Sequence, residues 1–227
     1  STTLQITGLA PCLSSSIAEL MKYWIAALRS GQISGLSFRM YLAGYKGLLT
    51  GDSKIVPQAE WESFYEILSQ LGGSPIGNSR VKLTNIDDCI KKGYVAKGDT
   101  PLEVASMQLI KDQIHVLHTI GGDDTNTQAA HLSEYLLEKH GGRVVVIGMP
   151  KTIDNDVKPI LQTFGADTAA AEGAHFFANL VSECTANPRM LILHECMGRD
   201  SGYLTAATAS KYRDYLKALN LPNSAAF

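Results

Sequence analysis

Two short apolar runs rich in β-branched residues, Ile114–Ile120 and Val144–Ile147, constrain this chain more than any other feature. Both read as strands. The second, Val-Val-Val-Ile, lacks polar alternation and is expected to be buried on both faces. Each run passes into a polar loop punctuated by glycine or proline: Gly121-Gly-Asp-Asp-Thr-Asn126 after the first, and Pro150-Lys-Thr-Ile-Asp-Asn-Asp156 after the second. Pro150 offers no N–H to a ladder and is expected to end its strand. Helical periodicity then resumes, with Ala129, Leu132 and Leu136 inward after the first loop, and Ala170, Ala174, Phe177 and Val181 inward over residues 166–182 after the second. Strand, loop and helix repeating in this order predict an α/β fold with a layered, mostly parallel sheet flanked by helices. In such sheets the loops after the strand carboxyl ends share one rim, where ligands bind.

The remaining elements fit that scheme. Leu4–Thr7 is a short strand candidate, residues 8–16 form a turn, and Ile17, Leu20, Met21, Trp24, Ile25 and Leu28 define a helix capped by one of Ser14, Ser15 or Ser16. A strand, a turn and a helix start in that order make an anion site. Residues 33–42 are ambiguous between strand and irregular structure, and the glycine-punctuated stretch 44–52 reads as loop. Trp61, Phe64, Tyr65 and Leu68 share a helical face, with Gly72-Gly73 as the C-cap. Residues 74–80 then form a loop that delivers Arg80. Helices are expected over 85–92 and 101–112, the latter with Thr100 as N-cap and Pro101 at its first position. Residues 190–194 read as a strand leading into Glu195–Gly202 and a last helix ending near Leu219. The four loops 8–16, 121–127, 150–156 and 196–202 fall at the ligand-binding rim.

Composition narrows the function classes. With 20 basic and 22 acidic residues the chain has a formal net charge of -2, so no broad basic face is expected to bind nucleic acid. No apolar run is long enough for a membrane span, and residues 1–30 lack the pattern of a secretory leader. A cytoplasmic protein with free thiols is expected. Cys12, Cys89, Cys184 and Cys196 form no CxxC pair or zinc spacing, and none of the 6 histidines sits in HExxH.

The Pro150–Asp156 loop places a lysine, a threonine and two carboxylates together. A base for a hydroxyl proton and a cation for phosphate oxygens suit phosphoryl transfer, although the same residue types also make solvated turns. The wider set of motifs favours the chemistry. GGDD at 121–124, PKTIDND at 150–156, MGR at 197–199, GYKGLLTGD at 44–52 and GGSPIGNSR at 72–80 occur in the order in which they occur in phosphofructokinases. The chain resembles that family from residue 4 to about 215. Two positions resemble its pyrophosphate-dependent branch, because the ATP-using branch usually has glycine at the positions of Asp124 and Lys151. Physically, a glycine at 124 lets a nucleotide's inner phosphate approach the backbone, whereas an aspartate fills that space and repels it. A lysine at 151 attracts an anion 4 Å away by about 4 kcal/mol in a partly wet site; the alternative is that Asp124 and Lys151 only pair with one another.

The resemblance implies roles for individual residues. Asp154 would take the proton from the 1-hydroxyl of fructose 6-phosphate, with Asp124, Lys151 and Arg80 completing the catalytic set. Thr152, Ile153, Asp156, Met197, Gly198 and Arg199 would join Asp154 in the sugar-phosphate site. For Met197 a plain core position is an equal alternative. Thr7, Gly8, Arg80 and Lys151 would hold pyrophosphate, and Asp123 would hold Mg²⁺, the expected cofactor. Residues 1–160 would form the donor domain, and 161–227 the beginning of a sugar-phosphate domain whose remainder is absent. The implied partners are pyrophosphate and fructose 6-phosphate, with no nucleic acid or membrane, and further copies of the chain in a homo-oligomer.

Two departures accompany the resemblance. The family's first loop usually has a glycine pair and then Pro-Gly, where this chain has Thr7-Gly8 and Pro11-Cys12. Family members also continue into a region carrying the groups for the sugar's 6-phosphate, so the 227-residue chain alone is expected to be inactive. The expected activity is reversible transfer from pyrophosphate to fructose 6-phosphate. The alternatives are an ATP-dependent phosphofructokinase and a truncated regulatory or assembly subunit.

Overall fold

The computed structural model describes residues 12–184, 186, 189–198 and 200–220. The strand expected at Leu4–Thr7, the loop residues Thr7 and Gly8, Arg199 of the MGR motif and the tail 221–227 lie outside these. The chain divides into two compact units, Ser1–Lys151 and Thr152–Phe227.

In the first unit, helix α1 (Cys12–Arg29) buries Leu13, Ile17, Met21 and Ile25. Their spacing of four residues places them on one stripe, and full burial of each contributes roughly 1.5–3 kcal/mol. The helix begins before the three serines proposed as its cap. Ser14 lies in its first turn and donates both its N–H (3.2 Å) and its hydroxyl (3.0 Å) to the Gly73 carbonyl, tying the 72–80 loop to the helix start. The ambiguous 33–42 stretch contains strand β1 (Phe38–Tyr41), which pairs antiparallel with β2 (Ser53–Val56). Between them, part of the predicted loop is helix α2 (Tyr45–Thr50). Gly47 permits this turn of helix to sit on the chain before it, since a Cβ there would lie 2.0 Å from the Leu42 carbonyl oxygen.

Helix α3 (Trp61–Gln70) packs against α1, and its C-cap is Leu71 in extended backbone, not the expected glycine pair. Helix α4 (Ile86–Lys91) is capped by Asn85, and α5 (Pro101–Lys111) by Thr100, whose hydroxyl accepts the Glu103 N–H at 3.3 Å. Strand β3 (Val116–Gly121), helix α6 (Asp123–His140) and strand β4 (Val145–Pro150) then form a parallel β-α-β unit. Gly141, in the left-handed region at φ 61°, closes α6.

The expectation of a strand buried on both faces fits β3, not β4. β3 is buried from Leu117 to Gly121, with Leu117 and Ile120 fully so, whereas Val145 is 54% and Ile147 39% exposed. Side chains alternate along a strand: Val144 and Val146 pack into the core of α5, α6 and β3, while Val145 and Ile147 point to the opposite face and stay exposed, and only Met149 of that face meets the core around α1.

The second unit contains helices α7 (Ala166–Cys184) and α8 (Tyr203–Leu219), packed on each other. Ala170 and Ala174 are buried and Phe177 stacks edge-on against Tyr212, with ring centroids 4.9 Å apart. The strand expected at 190–194 is irregular backbone, with Leu191 82% and Leu193 87% exposed. A strand exists through pairing of its N–H and C=O groups, and among the described residues this segment has no ladder partner. The sheet topology is therefore one parallel pair and one antiparallel pair among the described residues.

Candidate active site

In the first unit the candidate residues gather where β3 and β4 end. Their parallel ladder sets Gly121 opposite Pro150, and the Lys151 N–H donates to the Gly121 carbonyl at 2.7 Å. The GGDD loop and the start of the PKTIDND loop are thus neighbours because their strands are. Gly122 is the N-cap of α6 and Asp123 and Asp124 occupy its first turn, both exposed. Carboxylates are favourable there against the helix dipole, and the free N–H groups of that turn suit an anion.

Three residues that the sequence reading does not single out hold this turn. Asn126 donates its side-chain N–H₂ to the carbonyls of Gly121 and Gly122, each at 2.9 Å. Its Oδ1 lies 2.5 Å from where a Cβ on Gly148 would stand, so glycine at 148 in β4 is what lets Asn126 reach across. Thr125 folds back over Gly121, where an added Cβ would meet its side chain at 2.3 Å. The buried Tyr45 hydroxyl donates to the Thr125 carbonyl at 2.9 Å, and burial pushes its phenol pKa upward. Only the close spacing of glycine and asparagine around GGDD signals these contacts in the sequence.

Asp124 accepts an ion pair from Lys82 at 2.8 Å. Lys151 is 5% exposed, and in such surroundings a charge acts on an anion more strongly than in water. Arg80 is exposed at the end of the 72–80 loop, two residues from Lys82.

The second unit carries its own cluster of candidate residues. The Asp154 N–H donates to the Thr152 hydroxyl oxygen at 3.1 Å, leaving that hydroxyl's proton available to another acceptor. Asn155, in the left-handed region at φ 51°, accepts the Thr163 N–H at 2.8 Å. Thr163, 2% exposed, donates its hydroxyl to the Thr152 carbonyl at 2.5 Å. The Ser201 hydroxyl donates to the Asp154 carbonyl at 2.7 Å, joining the Thr152–Asp156 loop to the loop that follows MGR. These bonds fix the backbone around Asp154, which is half-buried with Thr152 and Ile153, while Asp156 is exposed. Met197 is 75% exposed, so it is not a core methionine. Gly198 has φ 153°, and a Cβ on it would stand 2.3 Å from the Ser201 carbonyl oxygen, so the 198–201 turn requires glycine. Asn155, Thr163 and Ser201 brace this loop. The sequence reading does not single them out, since Asn, Thr and Ser in a loop carry no local signal of what they bond.

The arrangement offers a helix start with two carboxylates and two nearby lysines in one unit, and a braced carboxylate loop in the other. Comparison with known proteins gives these parts a context. A family model described as "Phosphofructokinase" matches residues 3–213. The chain is 56% identical over 209 residues to a protein of Methylotuvimicrobium alcaliphilum named pyrophosphate–fructose 6-phosphate 1-phosphotransferase, covering 92% of this chain and 49% of that protein. A protein of the same name from Mastigamoeba balamuthi is 52% identical over the same shares of the two chains. An ATP-dependent 6-phosphofructokinase of Borreliella burgdorferi is 29% identical, covering 91% of this chain and 41% of that protein. Among solved structures, pyrophosphate-dependent phosphofructokinase from Marinobacter aquaeolei superposes with a TM-score of 0.72 at 19% identity, over 93% of this chain and 50% of that one. That likeness concerns the fold. The chain spans about half the length of the curated relatives it matches most extensively.

Proposed function

The chain belongs to the phosphofructokinase family, and we propose that it takes part in reversible phosphoryl transfer from pyrophosphate to the 1-hydroxyl of fructose 6-phosphate. The observation that carries the donor assignment is placement: Asp124 stands in the first turn of α6, just after β3, and Lys151 follows the end of the neighbouring β4. Asp124 puts a side chain at the start of α6, where a nucleotide's inner phosphate would need bare backbone. Lys151 supplies a shielded positive charge one residue beyond β4. Relatives 52–56% identical to this chain bear the pyrophosphate-dependent name, which supports the same donor.

In this reading Asp154 accepts the proton of the sugar hydroxyl as that oxygen attacks phosphorus. The bonds from Ser201 and within Thr152–Thr163 keep its backbone in place, which preserves the orientation on which proton transfer depends. Thr152, Ile153, Asp156, Met197, Gly198 and Arg199 contact the sugar phosphate. Arg80 meets the charge that builds on the transferring group, a task suited to a forked guanidinium. Thr7, Gly8 and Lys151 hold the rest of the donor, so that residues 1–160 are the donor side and 161–227 begin the acceptor side.

The residues at the start of α6 fit Mg²⁺. This ion is usually held by one or two carboxylates with phosphate oxygens and waters, not by an all-protein cage. Asp123 supplies one exposed carboxylate, and among the described residues no group of three acidic, histidine or cysteine side chains converges. When bound, the ion would neutralise charge on the pyrophosphate oxygens. No helix of the described residues is long and apolar enough to cross a membrane. A cytoplasmic setting fits small water-borne sugar phosphates, and the exposed Val145 and Ile147 support assembly with further copies.

Steady-state assays of a full-length enzyme carrying this sequence, with pyrophosphate and ATP as alternative donors, test the proposal. The expected result is a higher kcat/KM for pyrophosphate, with Lys151→Gly raising the KM for pyrophosphate. Preference of the unaltered enzyme for ATP overturns it.

A further inference from the structure

We propose that Lys82 is a selectivity-determining residue of the donor site, acting by cancelling and steering the charge of Asp124; this inference rests on the pyrophosphate reading above. Along residues 80–83 burial alternates, with Val81 and Leu83 buried and Arg80 and Lys82 exposed, so the two basic side chains face away from the core that the two apolar ones enter. The segment's register on α6 is fixed from both ends. The Thr84 N–H and hydroxyl both donate to Gln128 Oε1, at 3.0 and 3.1 Å, and Gln128 is 4% exposed. Val81 and Leu83 enter the same core as Leu132. Asp124, Gln128 and Leu132 are four residues apart and lie on one face of α6. The 2.8 Å pair between Lys82 and Asp124 is therefore set by buried contacts one and two turns further along, unlike an ion pair formed by two mobile surface chains.

The consequence follows from charge. Asp124 excludes a nucleotide by filling space, but its carboxylate would also repel a small, highly charged donor at the same helix start. With Lys82 bonded to it, the side chain keeps its bulk while its charge is neutralised and drawn toward residue 82. A site that must reject ATP yet attract pyrophosphate needs both effects, and like charges left facing each other would oppose the second.

The test is isothermal titration of the 227-residue chain with Mg²⁺–pyrophosphate. Lys82→Ala is expected to weaken binding about tenfold, Lys82→Arg to retain it, and Lys82→Ala with Asp124→Asn to recover most of the loss, because the repelling charge is gone. Lys54→Ala, which removes the same charge from β2, is expected to leave affinity unchanged. The pair is solvent-exposed and contributes little to stability, and circular dichroism confirms that each variant is folded. If the unaltered chain binds pyrophosphate and Lys82→Ala binds equally well, the inference alone is overturned. If the double variant stays as weak as Lys82→Ala, Lys82 does not act through Asp124, and the inference is again overturned. If the unaltered chain prefers Mg²⁺–ATP or binds no pyrophosphate, the donor reading fails and this inference falls with it.

Discussion

The loop at the start of α6 and the loop Glu195–Gly198 both follow apolar runs that read as strands, yet only the first is held by one. Gly121–Asp124 leaves a β3 that is buried from Leu117 onward, is tied to β4 by a ladder bond, and is braced by Asn126. The run Met190–Leu193 is more apolar still, yet it exposes its leucines and is irregular backbone. Apolar composition therefore marks a strand only where another strand supplies the partner groups. The candidate residues of the first unit are held by a strand ladder. Those of the second are held by side-chain bonds between loops.

The largest expected effect breaks the chemistry of the second region without touching the first. In an active full-length enzyme carrying this sequence, Asp154→Ala should lower kcat by about 10²- to 10⁴-fold, the usual scale for general-base loss, with smaller changes in KM. A severe effect of Asp156→Ala beside a mild one of Asp154→Ala would show that the two carboxylates have been assigned in reverse.

Next in size is a direct contrast of stability between the regions. Leu132→Ala removes a fully buried side chain from the core of the first unit and should cost about 2–5 kcal/mol in denaturant unfolding. Leu191→Ala, at a residue 82% exposed, should change stability by less than about 0.5 kcal/mol. A cost at Leu191 comparable to that at Leu132 would mean that the segment is packed in solution and that the contrast is wrong.

A smaller, pH-dependent effect sharpens the account of β3. His118, 3% exposed, accepts the Trp24 indole N–H at 3.1 Å on Nε2, and its burial lowers its pKa to about 4. The unfolded chain takes up that proton near pH 6.5, so between pH 6.5 and 4 the unfolded state binds more protons than the native one. Stability should be fully present above pH 6.5 and fall by up to about 3 kcal/mol as pH drops to 4. Urea unfolding across that range measures it, and His118→Asn, which keeps an acceptor but cannot titrate, should flatten this part of the profile. An unchanged profile in the variant would assign the acid loss to other groups.

Much of the first region was legible in the sequence because its signals are local. Thr100-Pro101 announced α5, Gly141-Gly142 closed α6, and the β-branched runs located β3 and β4. What escaped depends on contacts distant in the chain. Helix α2 lies in the glycine-punctuated stretch 44–52 that reads as loop, where Gly47 in fact serves the close approach to Leu42. Ser14 looked like a cap but serves Gly73, 59 residues away. In the site, the charged motif residues stood out by type. The residues that position them did not: Asn126, Thr163 and Ser201 act through backbone carbonyls, and Lys82 acts through a partner 42 residues away. The exposure of β4 was also hidden, since an all-apolar run reports the capacity for burial and not the presence of a covering layer.

The donor assignment is the central claim, and competitive calorimetry on the 227-residue chain tests it most directly. Titration with Mg²⁺–pyrophosphate and, separately, with Mg²⁺–ATP should show measurable binding of pyrophosphate and none of ATP. Asp124→Gly should admit ATP by opening the start of α6 to a nucleotide's inner phosphate. Tighter binding of ATP than of pyrophosphate by the unaltered chain would contradict the claim.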